Sequence, residues 1–220
     1  MNLSMPEEQE LIYHIDGSDR ICAVGADWAE FALANDGTAA LPEKVLGRSL
    51  WDFIEDANVR ELYRQIVLRV RSGYPAQFEY RCDAPEWRRR FRMTIRAGKD
   101  GTVEFLSQLI RAEPRPRVDM LDVKATRSEQ WVSVCGWCQK VALPDQSWVS
   151  VEEAARHLGL LAEEALPKLT HGICPPCHLD MLTQLVPTDE LPGHSPESDM
   201  SSVSDPMPDQ GCLTSNHDEP

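Results

Sequence analysis

Cys135-Gly-Trp-Cys138 and Cys174-Pro-Pro-Cys177 are two cysteine pairs of the same C-x-x-C form, with thirty-five residues between them. A C-x-x-C loop can turn both sulfurs toward one point, and two such loops complete a tetrahedral S₄ shell of the kind that holds Zn²⁺. A closed shell leaves no open position for water, so the expected role of Cys135, Cys138, Cys174 and Cys177 is a structural zinc site rather than a catalytic one. His171 and His178 flank the second pair and are the alternative donors; His171 reads more simply as a turn residue beside the site. The competing chemistry is redox. A thioredoxin-like centre needs a parallel strand and helix around the pair, and the residues after Cys138 suggest no such order. Zinc released by thiol oxidation, as a switch, stays open as an alternative.

The surrounding elements must bring the pairs together. Trp131-Val-Ser-Val134 is strand-like and leads into the first pair. Ser150-Val-Glu-Glu153 is a capping box that opens a helix with Val151, Ala154, Ala155 and Leu158 on one face, and Gly159 closes it. Leu160 to Leu169 reads as a second, weaker helical stretch, and a further helix begins at Cys177. A knuckle, an intervening segment and a knuckle opening a helix make a small treble-clef-like zinc module over residues 131–185. A unit this small needs a staple, and structural zinc supplies on the order of 10 kcal/mol of coupled folding energy.

Residues 10–111 have a different pattern. Leu11–Ile15 and Arg20–Val24 form a hairpin about Asp16-Gly17-Ser18-Asp19. Trp28, Phe31 and Ala32 share one face of a short helix for which Asp27 is placed as N-cap. Val45–Ile54 is short and irregular. Val59, Leu62, Tyr63, Ile66, Val67 and Val70 mark a long helix over Ala57–Arg71, ended by Ser72-Gly73. Strands are expected over Ala76–Cys82, Arg90–Arg96 and Thr102–Ile110, the last two joined at Lys99-Asp100-Gly101. His14, Cys22 and Cys82 read as ordinary packed residues. Arg88, Arg89, Arg90, Arg92 and Arg96 can bind an anion, but Arg90, Arg92, Thr94 and Arg96 alternate with Phe91, Met93 and Ile95 as any half-buried strand does.

This order of elements, with the Asp-Gly hairpin, Trp28-Ala-Glu-Phe31-Ala and Val45-Leu-Gly-Arg48-Ser-Leu-Trp-Asp-Phe-Ile54, resembles a PAS domain over roughly residues 10 to 111. The resemblance implies an α+β fold: a five-stranded antiparallel sheet cupping a pocket against helices, used for sensing or for self-association. Tyr80–Pro85 followed by Arg88–Met93 looks like a feature of one bacterial subgroup. Haem-binding members take an axial His from the long helix, and flavin photosensors carry a Cys before it. Ala57–Arg71 contains no His and the preceding Trp51-Asp-Phe-Ile-Glu-Asp56 no Cys, so no haem or flavin is expected. Val134-Cys-Gly-Trp-Cys-Gln-Lys140 and Thr170-His-Gly-Ile-Cys-Pro-Pro-Cys177 look like a C-terminal segment of bacterial signalling proteins that follows PAS or response-regulator domains. There the motif begins Cys-x-x-Cys-Lys and ends Ser-His-Gly-Ile-Cys-Pro-x-Cys. Thr170 in place of Ser, and Gln139 before Lys140, are departures that touch no proposed ligand.

The expected domains are an N-terminal extension (1–9), the PAS-like unit (10–111), a linker (112–130) begun by Glu113-Pro-Arg-Pro-Arg117, the zinc module (131–185) and a disordered acidic tail (186–220). The chain has 220 residues and a net charge of −14; the tail holds eight acids and no Lys or Arg, leaving 28 acids against 22 bases elsewhere. That balance disfavours broad charge-driven contact with nucleic acid or anionic membrane. No apolar run approaches a membrane span, and Met-Asn-Leu-Ser-Met-Pro-Glu-Glu lacks a signal-peptide layout, so a cytoplasmic location is expected. Walker A, G-x-S-x-G, kinase and helix-turn-helix patterns are lacking. The expectation is a non-enzymatic signalling protein acting through a protein partner, with a possible PAS-mediated homodimer. The alternative is a transcription-related factor whose zinc module contacts nucleic acid.

Overall fold

A computed structural model describes residues 10–35, 37–160 and 165–185; the expected N-terminal extension and acidic tail lie outside them. The first hairpin pairs β1 (Glu10–Ile15) with β2 (Ile21–Val24), and α1 (Trp28–Ala34) follows. Asp27 takes the N-cap position of α1 but donates no cap: its backbone is already helical and its carboxylate accepts no amide, so the expected capping bond is absent. Trp28 is anchored instead from its indole, which donates to the Ala40 carbonyl at 2.6 Å. Helix α2 (Pro42–Val45) leads into the irregular stretch, which contains a 3₁₀ turn, Leu50–Phe53.

The long helix is α3 (Ala57–Arg71), capped by the Asp56 carboxylate on the Val59 amide. Its Leu62, Ile66, Val67 and Val70 are buried, as their spacing predicts, and Gly73 leaves it at φ +95°. Then come β3 (Ala76–Arg81), β4 (Trp87–Ala97) and β5 (Val103–Pro114). The five strands form one antiparallel sheet in the order β2-β1-β5-β4-β3. Phe78, Phe91, Met93, Ile95, Val103 and Phe105 on its inner face are buried. Arg90 and Arg92 stand on the outer face, as alternation predicts. Arg89 points inward, where its Nε donates to the Cys82 carbonyl at 2.7 Å and Nη2 to Asn35 Oδ1 at 2.9 Å.

Strand β5 runs four residues past the expected Ile110, because Pro114 falls at the strand end opposite Trp87, where a missing N–H is tolerated. The stretch expected as a linker carries structure. Arg115, Val118 and Met120 are buried, and residues 127–130 already belong to β6 (Arg127–Cys135).

A second sheet, in the order β8-β7-β6-β9, contains β7 (Val141–Ala142), β8 (Trp148–Val149) and β9 (Leu166–Gly172). Helix α4 (Val151–His157) precedes β9 with its capping box intact, and Gly159 ends it at φ +68°. Two expectations fail here. Of the helix expected over Leu160–Leu169, residues 161–164 lie outside the described residues and Leu166 onward is strand; and β9 runs parallel to β6, a parallel order not expected after Cys138. Leu166 and Leu169 alone, three apart, do not separate a buried strand from a helix in so short a run, and Pro167 disfavours the helix. Helix α5 (Pro175–Leu185) ends the described chain. Among the described residues no helix is long and apolar enough to cross a membrane.

Candidate metal centre

Parallel pairing is what builds the site. Two parallel strands finish at the same end of their sheet, and the register sets Cys135, the last residue of β6, against Gly172, the last of β9. Both C-x-x-C loops therefore leave the sheet side by side. The Gly136 amide donates to the Gly172 carbonyl at 3.0 Å and ties the loops together. A Cβ on Gly172 would stand 3.0 Å from Ser133 Oγ, so the close approach favours glycine there.

The first loop folds back on itself. The Cys135 amide donates to the Lys140 carbonyl at 2.7 Å, and the Gln139 amide to the Cys135 carbonyl at 3.0 Å. This reversal puts Gln139 at φ +60°. Its buried side chain donates to the carbonyls of Arg81, at 3.2 Å, and of Cys135, at 3.5 Å. In the second loop Cys174 precedes α5 and Cys177 lies in its first turn. Pro175 opens that helix, where its fixed φ fits and no N–H is needed.

The four Sγ atoms lie within 4.8 Å of one another, Cys135 and Cys174 buried and Cys138 and Cys177 half-buried. Cys138 Sγ and Cys174 Sγ are 3.6 Å apart. A regular tetrahedron with metal–sulfur bonds of ~2.3 Å has sulfur–sulfur edges of about 3.8 Å, close to the separation of Cys138 and Cys174. Four soft sulfurs without carboxylate or imidazole suit Zn²⁺ rather than a hard cation. His171 is exposed and stands outside the group.

The loops lower one thiol and raise two others. The Cys135 thiol is pulled down to about 4, first by the Cys138 thiol that donates to it. The Cys174, Cys138 and Trp137 amides add to this effect and outweigh the opposing cost of burial. Cys138, as the donor, is pushed up, and burial raises Cys177 to about 12. A bound dication would lower all four, since coordination requires thiolates.

All four cysteines picked out in the sequence meet at this point; Trp137, Gln139 and Arg81 were not. Trp137 sits between two candidate ligands, yet its ring packs into the core of the five-stranded unit, 6.0 Å from Phe78 and 5.9 Å from Tyr63. The Arg81 amide donates to the Trp137 carbonyl at 2.8 Å, and Arg81 Nη1 donates to the Cys138 carbonyl at 3.1 Å. An aromatic inside a metal loop was the available signal: a tryptophan there must bury its ring against something.

Among solved structures, a domain of an HTR-like protein from Haloarcula marismortui ATCC 43049 aligns at 18% identity over 46% of this chain and 98% of that one, with a TM-score of 0.32. No protein-family model matches the sequence. No curated protein matches it.

Proposed function

We propose that this chain is a non-enzymatic signalling or regulatory protein in which a PAS-type sensing or dimerisation unit is joined to a structural zinc module that contacts a protein partner. The zinc reading rests on the four thiols lying within 4.8 Å of one another. The PAS-type reading is supported by the strand order β2-β1-β5-β4-β3, by helices inserted between β2 and β3, and by the motifs over residues 10–111. The observation that carries the whole is Trp137: one loop supplies two candidate ligands and, between them, a core residue of the neighbouring unit. Occupancy of the metal site and packing of the sheet unit are then linked, as a regulatory protein requires.

Native mass spectrometry of the full chain tests it. The expected result is one zinc per chain, lost in Cys174→Ser; full zinc in that variant overturns the ligand set. Co-purification with a kinase or response regulator supports the partner reading. Saturable, salt-dependent binding to a DNA panel would instead favour the transcription-related role.

A further inference from the structure

We propose that the outer face of the five-stranded sheet carries a binding site for a dianionic phosphoryl group, with Arg88, Arg90 and Arg111 as its donors. The register sets Arg81 opposite Arg90 and Arg90 opposite Arg111, a cross-strand row of three guanidiniums over β3, β4 and β5. Like charges directly opposite one another destabilise an antiparallel pair, and nothing in the folding of a half-exposed face calls for them.

A bulge makes part of that row. Phe91 pairs with Leu109, so regular pairing would set Ile110 opposite Arg90; the register shift between Arg90 and Phe91 sets Arg111 there instead. Bulges re-aim side chains, and this one substitutes a cation for an aliphatic group. The result is a groove of about 270 Å³ lined by Arg81, Arg88, Arg89, Arg90, Arg111 and Glu113; the Arg89 guanidinium itself is bonded inside the fold.

The carboxylates nearby fall short of the guanidiniums. Arg81 and Arg115 share Asp83, Arg88 and Arg115 share Glu152, Arg90 and Arg92 share Glu79, and Arg111 pairs with Glu113. Among the described residues these six guanidiniums face four carboxylates, an excess of two positive charges in a chain of net charge −14. Arg90 and Arg111 are the most available: their side chains are 57% and 68% exposed, and Arg90 reaches Glu79 only at 3.5 Å. A carboxylate brings one charge and two oxygens. A phosphoryl group brings nearly two charges and three acceptor oxygens, which matches forked donors arriving from adjacent strands.

The test titrates the full chain at constant ionic strength with inorganic phosphate and, separately, with O-phosphoserine, read by calorimetry and by the arginine Nε–H resonances. One site per chain is expected, with the Arg90 and Arg111 resonances moving. Arg90→Gln with Arg111→Gln should weaken binding about tenfold or more, the scale of one charge-assisted hydrogen bond. The corresponding double lysine variant should weaken it as well, since an ammonium lacks the fork. Arg156→Gln, on α4, should change nothing. Phosphate binding alone identifies a free ion as ligand, whereas tighter phosphoserine binding identifies a phosphorylated side chain. The proposal is overturned by titrations without saturation, by shifts confined to other arginines in the unmodified chain, or by a lysine variant that binds as well as the native protein.

Discussion

Trp137 and Phe78 face each other with ring centroids 6.0 Å apart, one from a loop that bears candidate metal ligands and the other from the edge strand of the five-stranded sheet. Trp137 is 8% exposed and Phe78 7%. Trp137→Ala should cost about 3–5 kcal/mol, the range for emptying a large aromatic from a core. The loss should appear as lower protection of β3 amides to hydrogen exchange, not only in the cysteine-bearing region. Chelation of zinc should act in the same direction and shift tryptophan emission to the red. Unchanged β3 protection after chelation would show that the two units are energetically separate.

Asp83 provides the second joint. Its side chain is fully buried, pairs with Arg81 and, at 3.2 Å, with Arg115, whose own side chain is 2% exposed. Arg115 also reaches Glu152 on α4 at 3.6 Å, and Arg88 reaches the same carboxylate at 2.5 Å. Burial lowers the pKa of Arg115, while Asp83 and Glu152 oppose that shift. Asp83→Ala would strand a buried guanidinium, and breaking such a pair costs about 3–5 kcal/mol. Asp83→Ala with Arg115→Met should recover much of the loss in urea unfolding, because no fully buried guanidinium is then stranded, while Arg81, 31% exposed, is left with water as its partner. A double variant as unstable as the single one would refute this assignment.

The sequence was most legible where period or spacing left one reading. Val59 to Val70 could form only one apolar stripe, and α3 begins and ends where that stripe and its flanking Ser72-Gly73 place it. Two C-x-x-C pairs admitted few geometries, and their sulfurs converge. Asp27 misled because a carboxylate before a helix caps it only from an extended backbone, whereas Asp27 is helical. Leu166–Gly172 misled for another reason. Its strand state is set by pairing with β6, a partner some forty residues earlier that no local window contains. The same non-local pairing set Cys135 beside Gly172, so the sequence named the candidate ligands without revealing what aligns them.

Gln139 tests the geometry of the first loop. At φ +60° a non-glycine residue carries a backbone cost of about 1–2 kcal/mol. Here its side-chain bonds to the Arg81 and Cys135 carbonyls offset that cost. Gln139→Ala keeps the strain and loses both bonds; Gln139→Gly loses the bonds but relieves the strain. The alanine variant should therefore be the less stable by about 1 kcal/mol, with weaker zinc retention in competition with a chelator. Equal stability of the two would mean that backbone conformation contributes little.

Alkaline pH should loosen the sheet unit through its half-buried tyrosines. Tyr13, Tyr63 and Tyr80 share one aromatic core: Tyr13 stacks on Phe105 at 4.5 Å, Tyr80 on Phe91 at 5.6 Å, and Tyr63 meets Phe78 edge-on at 6.4 Å. Burial raises all three above the ordinary 10.0, and pushes Tyr63 up to about 12. A raised pKa favours the protonated folded form. Its contribution is therefore complete below pH 10 and drains away as pH rises through the folded value, because the unfolded chain releases its protons first. Urea midpoints should fall between pH 10 and 12. The Tyr80 hydroxyl is hydrogen-bonded to Ser107 Oγ at 2.5 Å, whereas no bond from the Tyr63 hydroxyl is found among the described residues. Tyr63→Phe should thus leave neutral-pH stability within about 1 kcal/mol and flatten part of the alkaline slope. Tyr80→Phe should flatten it too, but at a measurable cost at pH 7, since Ser107 is left buried without its partner. A slope identical in the Tyr63→Phe variant would remove Tyr63 from the account.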